Sequence, residues 1–370
     1  MMETDYKALY IHIPFCKCRC RYCDFDTDAV AADDPCIQAY VDDLVLQIRR
    51  AAKEGKLAHI ETVYLGGGTP SYIGTKHLSS ILYMLSISLN NFSQLEVSME
   101  SNPDSITPEL IRDIWALGVN RLSIGVQSLD DQVLKTLGRA HDAEKARAAI
   151  KMALERFDNV SVDMMCGIPG QDSEVFCQNL QEVVDLGVSH VSIYPLAIES
   201  GTPLEAAIDA GEIPDVVEDE QAMMMQMAAS VLEPAGLGRY EVASYAKPGK
   251  QCRHNIAYWT GIPYLGIGRS AVTMNQTQKS RTRIQDGEVT DELDAKQMVA
   301  EDLMLGMRMT CGVSEDQVRQ AALLLPDIYP VMHSLVRDNL VVLEDGRYKP
   351  TLGGWLCGNV LFGRIFELAP

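Results

Sequence analysis

Three cysteines within eight residues constrain this chain more than any other feature of its sequence. A strand-like apolar run, Ala8–Ile13, ends at Pro14, and Cys16, Cys20 and Cys23 follow in a short loop. Three thiolates at this spacing can ligate three irons of a 4Fe–4S cluster and leave the fourth iron open for a small ligand. The loop therefore predicts an iron–sulfur site with an open iron.

Two other kinds of site use the same residues. One is a disulfide between two of the cysteines, and the other is a zinc site. Zinc would need a fourth ligand, which Cys18, His12 or Asp24 could supply.

The remaining cysteines favour a reducing environment. Four of the ten lie in residues 16–23, and the other six are scattered along the chain. A disulfide scaffold is typical of small secreted domains, so a reducing cytosol with one metal-binding loop fits this distribution better. We interpret the scattered cysteines as small apolar core residues.

Composition excludes several classes of protein. Nearly half of the 370 residues are apolar and the formal charge is −19, which predicts a packed core and argues against nucleic-acid or anionic-membrane partners. No apolar run is long enough to span a membrane. The first residues, Met1–Lys7, resemble neither a signal nor a transit peptide. The expected location is the cytoplasm.

Alternating strand and helix patterns predict the fold. Strands are expected at residues 8–13, 60–65, 94–99, 121–127, 160–165 and 190–196, with helices at 36–53, 75–88, 107–117, 130–137, 143–156 and up to 186. Six such units predict parallel strands with right-handed crossovers, and hence an α/β fold, a partial (βα)6 TIM-like barrel.

The rest of the chain is expected to differ from the barrel. We expect the barrel domain to comprise residues 1–235, including a Met-rich core helix at 218–232, and to be followed by a mixed segment at 236–295 and a C-terminal domain at 296–370. The C-terminal pattern is three helices (298–309, 314–322, 328–338) and two short strands (340–343, 348–350), an order typical of winged-helix α+β modules. The acidic composition favours a structural or partner-docking role for it over DNA binding.

Polar residues follow several predicted strands. A glycine-rich loop at 66–71 contains Gly67, Gly68 and Thr69 and lets backbone N–H groups approach a charged ligand. It lacks the Lys-Ser/Thr pair of a phosphate-binding P-loop. Further polar groups lie at or just past later strands, and on one barrel rim they could bind the ribose, amino and carboxylate groups of a nucleoside. They are Glu100, Gln127, Arg139 and Asp163.

Six motifs together resemble the anaerobic coproporphyrinogen oxidase superfamily of radical S-adenosylmethionine (SAM) proteins. They are YIHIPFC at 10–16, GGGTPS at 66–71, RLSIGVQS at 121–128, LGRAH at 137–141, DMMCGIPGQ at 163–171 and ESGTPL at 199–204. The resemblance covers nearly the whole chain. It implies that Cys16, Cys20 and Cys23 ligate the cluster, and that SAM is contacted by Tyr10, Gly67, Gly68, Thr69, Glu100, Gln127, Arg139 and Asp163.

Within that superfamily the chain is more similar to the HemW-type haem chaperones than to the oxidases. The oxidases carry another cysteine where this chain has Phe25, and a longer segment before the cluster than the fifteen residues here. The sequence HNIAYW at 254–259 resembles the chaperones' HNxxYW motif, which implies a haem-binding role for His254, presented by a loop beside two aromatic residues.

Two features depart from the chaperone pattern. Residues 266–272, GIGRSAV, lack the GPGAH that chaperones often show and look more like the oxidase version. Cys18 is an extra thiol inside the ligand loop. It leaves the assignment of the cluster ligands open.

The resemblance implies a haem chaperone with three cofactors: a 4Fe–4S cluster, SAM and haem. Its partners would be haem-accepting proteins and, if the cluster is redox-active, an electron donor. The rival function is oxygen-independent coproporphyrinogen III oxidase, in which one electron cleaves SAM to a radical that attacks the propionate side chains. A third is a radical SAM enzyme acting on another tetrapyrrole.

Overall fold

A computed structural model describes residues 4–370. The first three residues of the predicted non-signal N-terminus, 1–3, lie outside the described residues. Residues 4–200 contain six long strands and six α-helices, together with the short strands β2 (Phe15–Cys16) and β3 (Asp28–Ala29). The long strands are β1 (Ala8–Ile13), β4 (Thr62–Gly67), β5 (Glu96–Ser101), β6 (Arg121–Gln127), β7 (Val160–Cys166) and β8 (His190–Pro195). The helices are α1 (Pro35–Lys53), α2 (Gly74–Ser88), α3 (Pro108–Ala116), α4 (Asp131–Leu137), α5 (Ala143–Leu154) and α6 (Ser173–Asp185).

The six long strands lie side by side and parallel, in the order β1-β4-β5-β6-β7-β8. Apolar residues on their outer face pack against the helices in one continuous core that includes Leu9, Val97 and Ile124. The predicted parallel sheet is therefore confirmed, with strand bounds shifted by two residues at most among these six.

Side-chain caps explain where several helices begin. Thr107, Asp130, Asp142 and Asp172 each accept a hydrogen bond from a backbone N–H group in the first turn of the helix that follows. These caps satisfy N–H donors that the helix itself leaves without a partner. Three of these caps lie in the loops that follow β5, β6 and β7, where the polar strand ends also lie.

The middle of the chain extends both edges of this sheet. Two helices come first, α7 (Pro203–Asp209) and α8 (Glu218–Leu232), and then β9 (Gly238–Arg239), β10 (Ser244–Ala246), α9 (Arg253–Trp259), β11 (Tyr264–Ile267), β12 (Val272–Gln276), β13 (Ser280–Gln285) and β14 (Glu288–Asp294). Strand β11 pairs parallel with β1, whereas β10 and β9 pair antiparallel beyond β8, so the sheet has nine strands. The strands β12, β13 and β14 form a separate antiparallel sheet next to β11.

The C-terminal residues have a hydrophobic core of their own, around Leu303, Met332 and Ile365. Its elements are α10 (Ala295–Gly306), β15 (Val313–Ser314), α11 (Glu315–Ala321), α12 (Ile328–Arg337), β16 (Val341–Glu344), β17 (Arg347–Pro350), α13 (Leu352–Leu356) and α14 (Gly358–Phe366). The three helices and two strands expected from the sequence are present, with one additional strand and two additional helices. The boundaries at 235 and 295 stay predictions.

No helix among residues 4–370 combines the length and the apolarity needed to cross a membrane.

Candidate functional site

The cysteine loop lies between β2 and β3 at the carboxyl end of β1. Cys16, Cys20 and Cys23 are half-buried, whereas Cys18 is exposed, and all ten cysteines, which lie within the described residues, are free thiols without a disulfide. Each of the three is near enough to the other two for their charges to interact. The loop thus gathers the three predicted ligands and leaves Cys18 toward solvent.

Two side chains from the barrel hold the cysteine loop. The Thr69 Oγ1 atom lies 3.5 Å from the Cys16 Sγ atom, and the Arg139 guanidinium donates a hydrogen bond to the Cys20 Sγ atom over 3.3 Å. Burial raises the pKa of the Cys16 thiol to about 11 and also raises the pKa of Cys23. Loading with metal, which binds thiolates, would therefore release protons.

Among residues 4–370, no three His, Cys, Asp or Glu side chains are close enough together to hold a single metal ion. The three thiols of the loop are near one another without forming such a group. Thiolates that bind different irons of one cluster do not need to meet at a single point, so this donor set fits a 4Fe–4S group.

The glycine-rich loop packs directly against the strand that leads to the cysteines. Gly67 has φ +108°, and a Cβ atom there would lie 2.4 Å from the His12 ring, while a Cβ atom on Gly68 would lie 2.8 Å from the backbone of Phe15. The N–H groups of Gly68 and Thr69 donate to the carbonyls of residues 13 and 15. Close backbone approach therefore requires glycine here, whatever ligand the loop binds.

Two half-buried carboxylates lie inside the barrel. Glu100 accepts hydrogen bonds from the Tyr64 hydroxyl (2.8 Å) and the Gly67 N–H group (3.0 Å), and burial raises its pKa to about 7. Asp163 lies in the middle of β7 rather than at the rim, and it accepts hydrogen bonds from the Ser123 and Ser161 hydroxyls. Burial also raises the pKa of Asp163, and the two carboxylates repel each other. A ligand with a positive charge and hydroxyl donors would relieve this repulsion.

Gln127 and Arg139 have polar atoms without partners. Gln127 ends β6 in a left-handed conformation, φ +67°, and its buried Oε1 atom has no hydrogen-bond partner. The Arg139 guanidinium is fixed by the Asn102 Oδ1 atom at 2.7 Å and the Gly125 carbonyl at 2.5 Å, and its Nε atom has no partner. Such strained and unsatisfied groups are typical of ligand sites.

These observations fit SAM. Its ammonium and sulfonium charges suit the Glu100 and Asp163 carboxylates, and its amino and hydroxyl donors suit the free Gln127 oxygen. The expected pairing of Arg139 with the carboxylate of SAM would have to use a guanidinium already bound to Asn102 and Gly125.

A cavity of about 610 Å³ lies next to these residues. Tyr10, Gly67 and Glu100 line one side, and Asp24, Phe25 and Asp26 of the cysteine loop line another. The remaining wall is mostly aromatic and apolar, and it comes from parts of the chain far apart in sequence. It includes Tyr258, Trp259, Tyr264, Val272, Met274, Arg283 and Leu305. Its size is typical of pockets for small ligands.

The prediction that a loop presents His254 is wrong, because His254 lies in the first turn of α9, which begins at Arg253. The side chain is 1% exposed. Its Nδ1 atom lies 2.9 Å from the Thr62 hydroxyl and its Nε2 atom 3.0 Å from the Tyr258 hydroxyl. The ring stacks on Tyr64, and burial lowers its pKa to about 3, so it is neutral. In this conformation neither ring nitrogen is free to bind iron.

The sequence analysis did not identify Asn102, which connects the glycine-rich loop to Arg139. Its Nδ2 atom donates to the Thr69 hydroxyl over 2.8 Å while its Oδ1 atom accepts from Arg139. A pattern of alternating polar residues could have indicated the site, because alternate side chains of a strand point to the same face. They are Glu96, Ser98 and Glu100 on β5, Arg121, Ser123 and Gln127 on β6, and Ser161 and Asp163 on β7.

Comparison with known families agrees with this geometry. Residues 10–183 match the model of the radical SAM superfamily. The chain is 30% identical over 375 residues to the Heme chaperone HemW of Bacillus subtilis, an alignment that covers 96% of this chain and 98% of the relative. It is 35% identical over 277 residues to the Heme chaperone HemW of Escherichia coli, covering 73% of this chain and 71% of that protein.

A solved structure resembles nearly the whole molecule. The radical SAM coproporphyrinogen III oxidase HemN of Escherichia coli superposes with a TM-score of 0.81 at 21% identity, covering 98% of this chain and 90% of that one. This likeness confirms the predicted fold class, a radical SAM α/β barrel followed by a C-terminal domain. At this identity it shows the fold alone.

Proposed function

The chain belongs to the HemW family of the radical SAM superfamily, and from that premise we propose that it is a haem chaperone. In this proposal it binds haem, carries a 4Fe–4S cluster to which SAM is ligated, and delivers haem to acceptor proteins. The observation that carries it is the match along almost the full length of the Bacillus subtilis relative. Phe25, in place of the extra cysteine expected of an oxidase, also supports it.

The cavity supports haem as the ligand. Trp259, Tyr258 and Met274 supply the flat and apolar surface that a porphyrin ring packs against, and the cavity is contiguous with the SAM side through Tyr10 and Glu100. Haem in this cavity would lie beside the cysteine loop, because Phe25 also lines it.

We assign the cluster to Cys16, Cys20 and Cys23, and SAM to the residues around them. Tyr10, Glu100, Gln127 and Asp163 would face SAM, while Gly67, Gly68 and Thr69 provide the close backbone and Arg139 ties the rim to Cys20. When bound, the cluster and SAM supply one-electron chemistry. The protein's own part is to orient the ligand and to keep Glu100 and Asp163 out of water.

The decisive experiment is anaerobic reconstitution of the cluster, followed by parallel assays on one sample. We expect the reconstituted protein to bind haem, seen as a Soret band in a titration, and to leave coproporphyrinogen III unchanged with SAM and a reductant. Formation of protoporphyrinogen IX would establish the oxidase instead. If the protein neither binds haem nor converts the porphyrinogen, both functions are contradicted. The remaining hypothesis is then a radical SAM enzyme that acts on another tetrapyrrole.

We propose that His254 serves haem binding through Tyr258, whose hydroxyl it holds at the cavity wall. His254→Ala should lower haem affinity by about tenfold because the aromatic wall loosens. It should also lower the free energy of unfolding by about 2–4 kcal/mol, since it leaves a cavity and an unpaired Thr62 hydroxyl.

The measurement is a haem titration with the absorption spectrum recorded at saturation. Tyr258→Phe is the matched variant, because it removes the same hydrogen bond and keeps the ring, and it should weaken haem binding in the same direction. An axial-ligand spectrum that changes in His254→Ala but not in Tyr258→Phe would show that His254 ligates the iron directly.

We also propose a cytoplasmic location, supported by the ten free cysteines and the bacterial relatives named Heme chaperone HemW. The partners in this proposal are haem-accepting proteins and, where the cluster is redox-active, an electron donor. The charge of −19 favours partners other than nucleic acid.

A further inference from the structure

Two arginines lie between aromatic rings from the two halves of the molecule. Arg308 lies 4.9 Å from the ring of Trp259 on α9 and 4.9 Å from the ring of Phe362 on α14. We call these three residues the cavity clamp. Arg239 lies 5.0 Å from the Tyr245 ring on β10 and 4.7 Å from the Trp355 ring on α13. We call these three the edge clamp.

Stacking is prominent among the contacts of both arginines. The Nε atoms of Arg308 and Arg239 are buried without a hydrogen-bond partner. Both arginines interact with the charge of Glu241, a residue only 2% exposed that lies between β9 and β10 and forms an isolated β-bridge with Met309. Cation–π attraction strengthens as water is removed, and both arginines are half-buried. A planar guanidinium also presents two faces to two rings at once.

The two clamps differ in what the first ring does. Trp259 lines the 610 Å³ cavity, whereas Tyr245 does not. The cavity clamp therefore connects a wall of the cavity to the C-terminal core, in which Phe362 packs. Leu305, on the same helix that leads to Arg308, lines the cavity too.

We propose that Arg308 is a positioning residue of the haem cavity. By stacking between Trp259 and Phe362 it fixes the cavity-wall indole against the C-terminal domain, so that release of haem depends on how firmly that domain holds the clamp. This inference rests on the proposed haem binding. It assigns the C-terminal domain a part in controlling haem release, and it predicts that the edge clamp has no such part.

The test compares matched variants of the full-length, cluster-reconstituted, haem-loaded protein. Arg308→Met removes the cavity clamp, Arg239→Met removes the edge clamp, and Phe362→Leu takes away one ring while leaving Trp259 and Arg308 in place. The measurements are the rate of haem loss to an excess of haem-free globin, the Soret spectrum before release, and the thermal unfolding temperature.

We expect Arg308→Met to release haem about tenfold faster than the wild type, and Arg239→Met to change the rate by less than about twofold. Phe362→Leu should act in the same direction as Arg308→Met, and it tests the clamp even if Arg308→Met fails to fold. Both arginine variants should lower the unfolding temperature, because both clamps hold the C-terminal domain.

Equal rates of haem loss in Arg308→Met and Arg239→Met would overturn the proposal, because the clamps would then only dock the domain. Wild-type rates in both Arg308→Met and Phe362→Leu would also overturn it, with the proposed function left standing. A wild-type protein that binds no haem would contradict the proposed function, and this inference with it.

Discussion

Replacing Cys16, Cys20 or Cys23 singly with alanine is expected to abolish the iron–sulfur cluster, whereas Cys18→Ala should leave it intact. Each of the three thiols is near the other two, and no fourth protein ligand is needed where SAM completes the open iron. After the loss of one thiolate, the protein would ligate only two irons of the cluster. We therefore expect less than about a tenth of the wild-type iron to remain bound.

Cys18 is the matched control because it lies in the same loop and has the same chemistry. It is the most exposed of the four thiols in the loop, and Thr69 and Arg139 make their hydrogen bonds with Cys16 and Cys20 instead. Iron and acid-labile sulfide per chain, with the visible absorption after anaerobic reconstitution, would measure the outcome. Loss of the cluster in Cys18→Ala, or zinc as the metal recovered from the native protein, would contradict this assignment.

Glu100→Gln is expected to remove a pH-dependent loss of stability from the ligand-free protein and to weaken SAM binding. The folded-state pKa of Glu100 is about 7, above its ordinary value of 4.5, because burial disfavours the charged form. The protonated carboxyl therefore contributes stability that is fully present below pH 4.5 and is lost as the pH rises through 7.

Glutamine cannot ionise, so the variant should escape this loss. Between pH 4.5 and pH 8 the variant should gain about 3 kcal/mol in free energy of unfolding relative to the wild type. This gain adds to a pH-independent loss of one hydrogen bond, because the amide nitrogen cannot accept from Tyr64 or Gly67 as a carboxylate oxygen does. The same change removes the negative charge that faces the cation of SAM, so SAM affinity should fall by about tenfold to a hundredfold.

Denaturant unfolding at pH 5 and pH 8 and calorimetric SAM titration would measure the two effects. Glu288→Gln is the control, since it removes a carboxylate that is exposed on β14 and should change neither quantity. A stability difference between variant and wild type that is the same at pH 5 and pH 8 would show that the pKa of Glu100 is not raised. Unchanged SAM affinity would remove Glu100 from the SAM site.

The sequence by itself determined the structural features that depend on residues close together in the chain. Three cysteines within eight residues meet in one loop because closing so short a loop costs little entropy. The six parallel strands and their helices follow from apolar periodicity, which reports which face each element buries. The polar residues after those strands belong to one end of the barrel because parallel strands point the same way.

Only the tertiary structure decided the strand pairings and side-chain contacts that join residues distant in sequence. Strand β11 joins the sheet beside β1, more than 250 residues earlier in the chain, and no local pattern specifies that partner. His254 looked free in its motif, but Thr62 and Tyr258 occupy both of its ring nitrogens. Arg308 carried no sequence signal at all, because a stacked arginine is defined by the rings on its two sides. Periodicity tells which side chains are buried, whereas the partners they meet are chosen only when the elements pack.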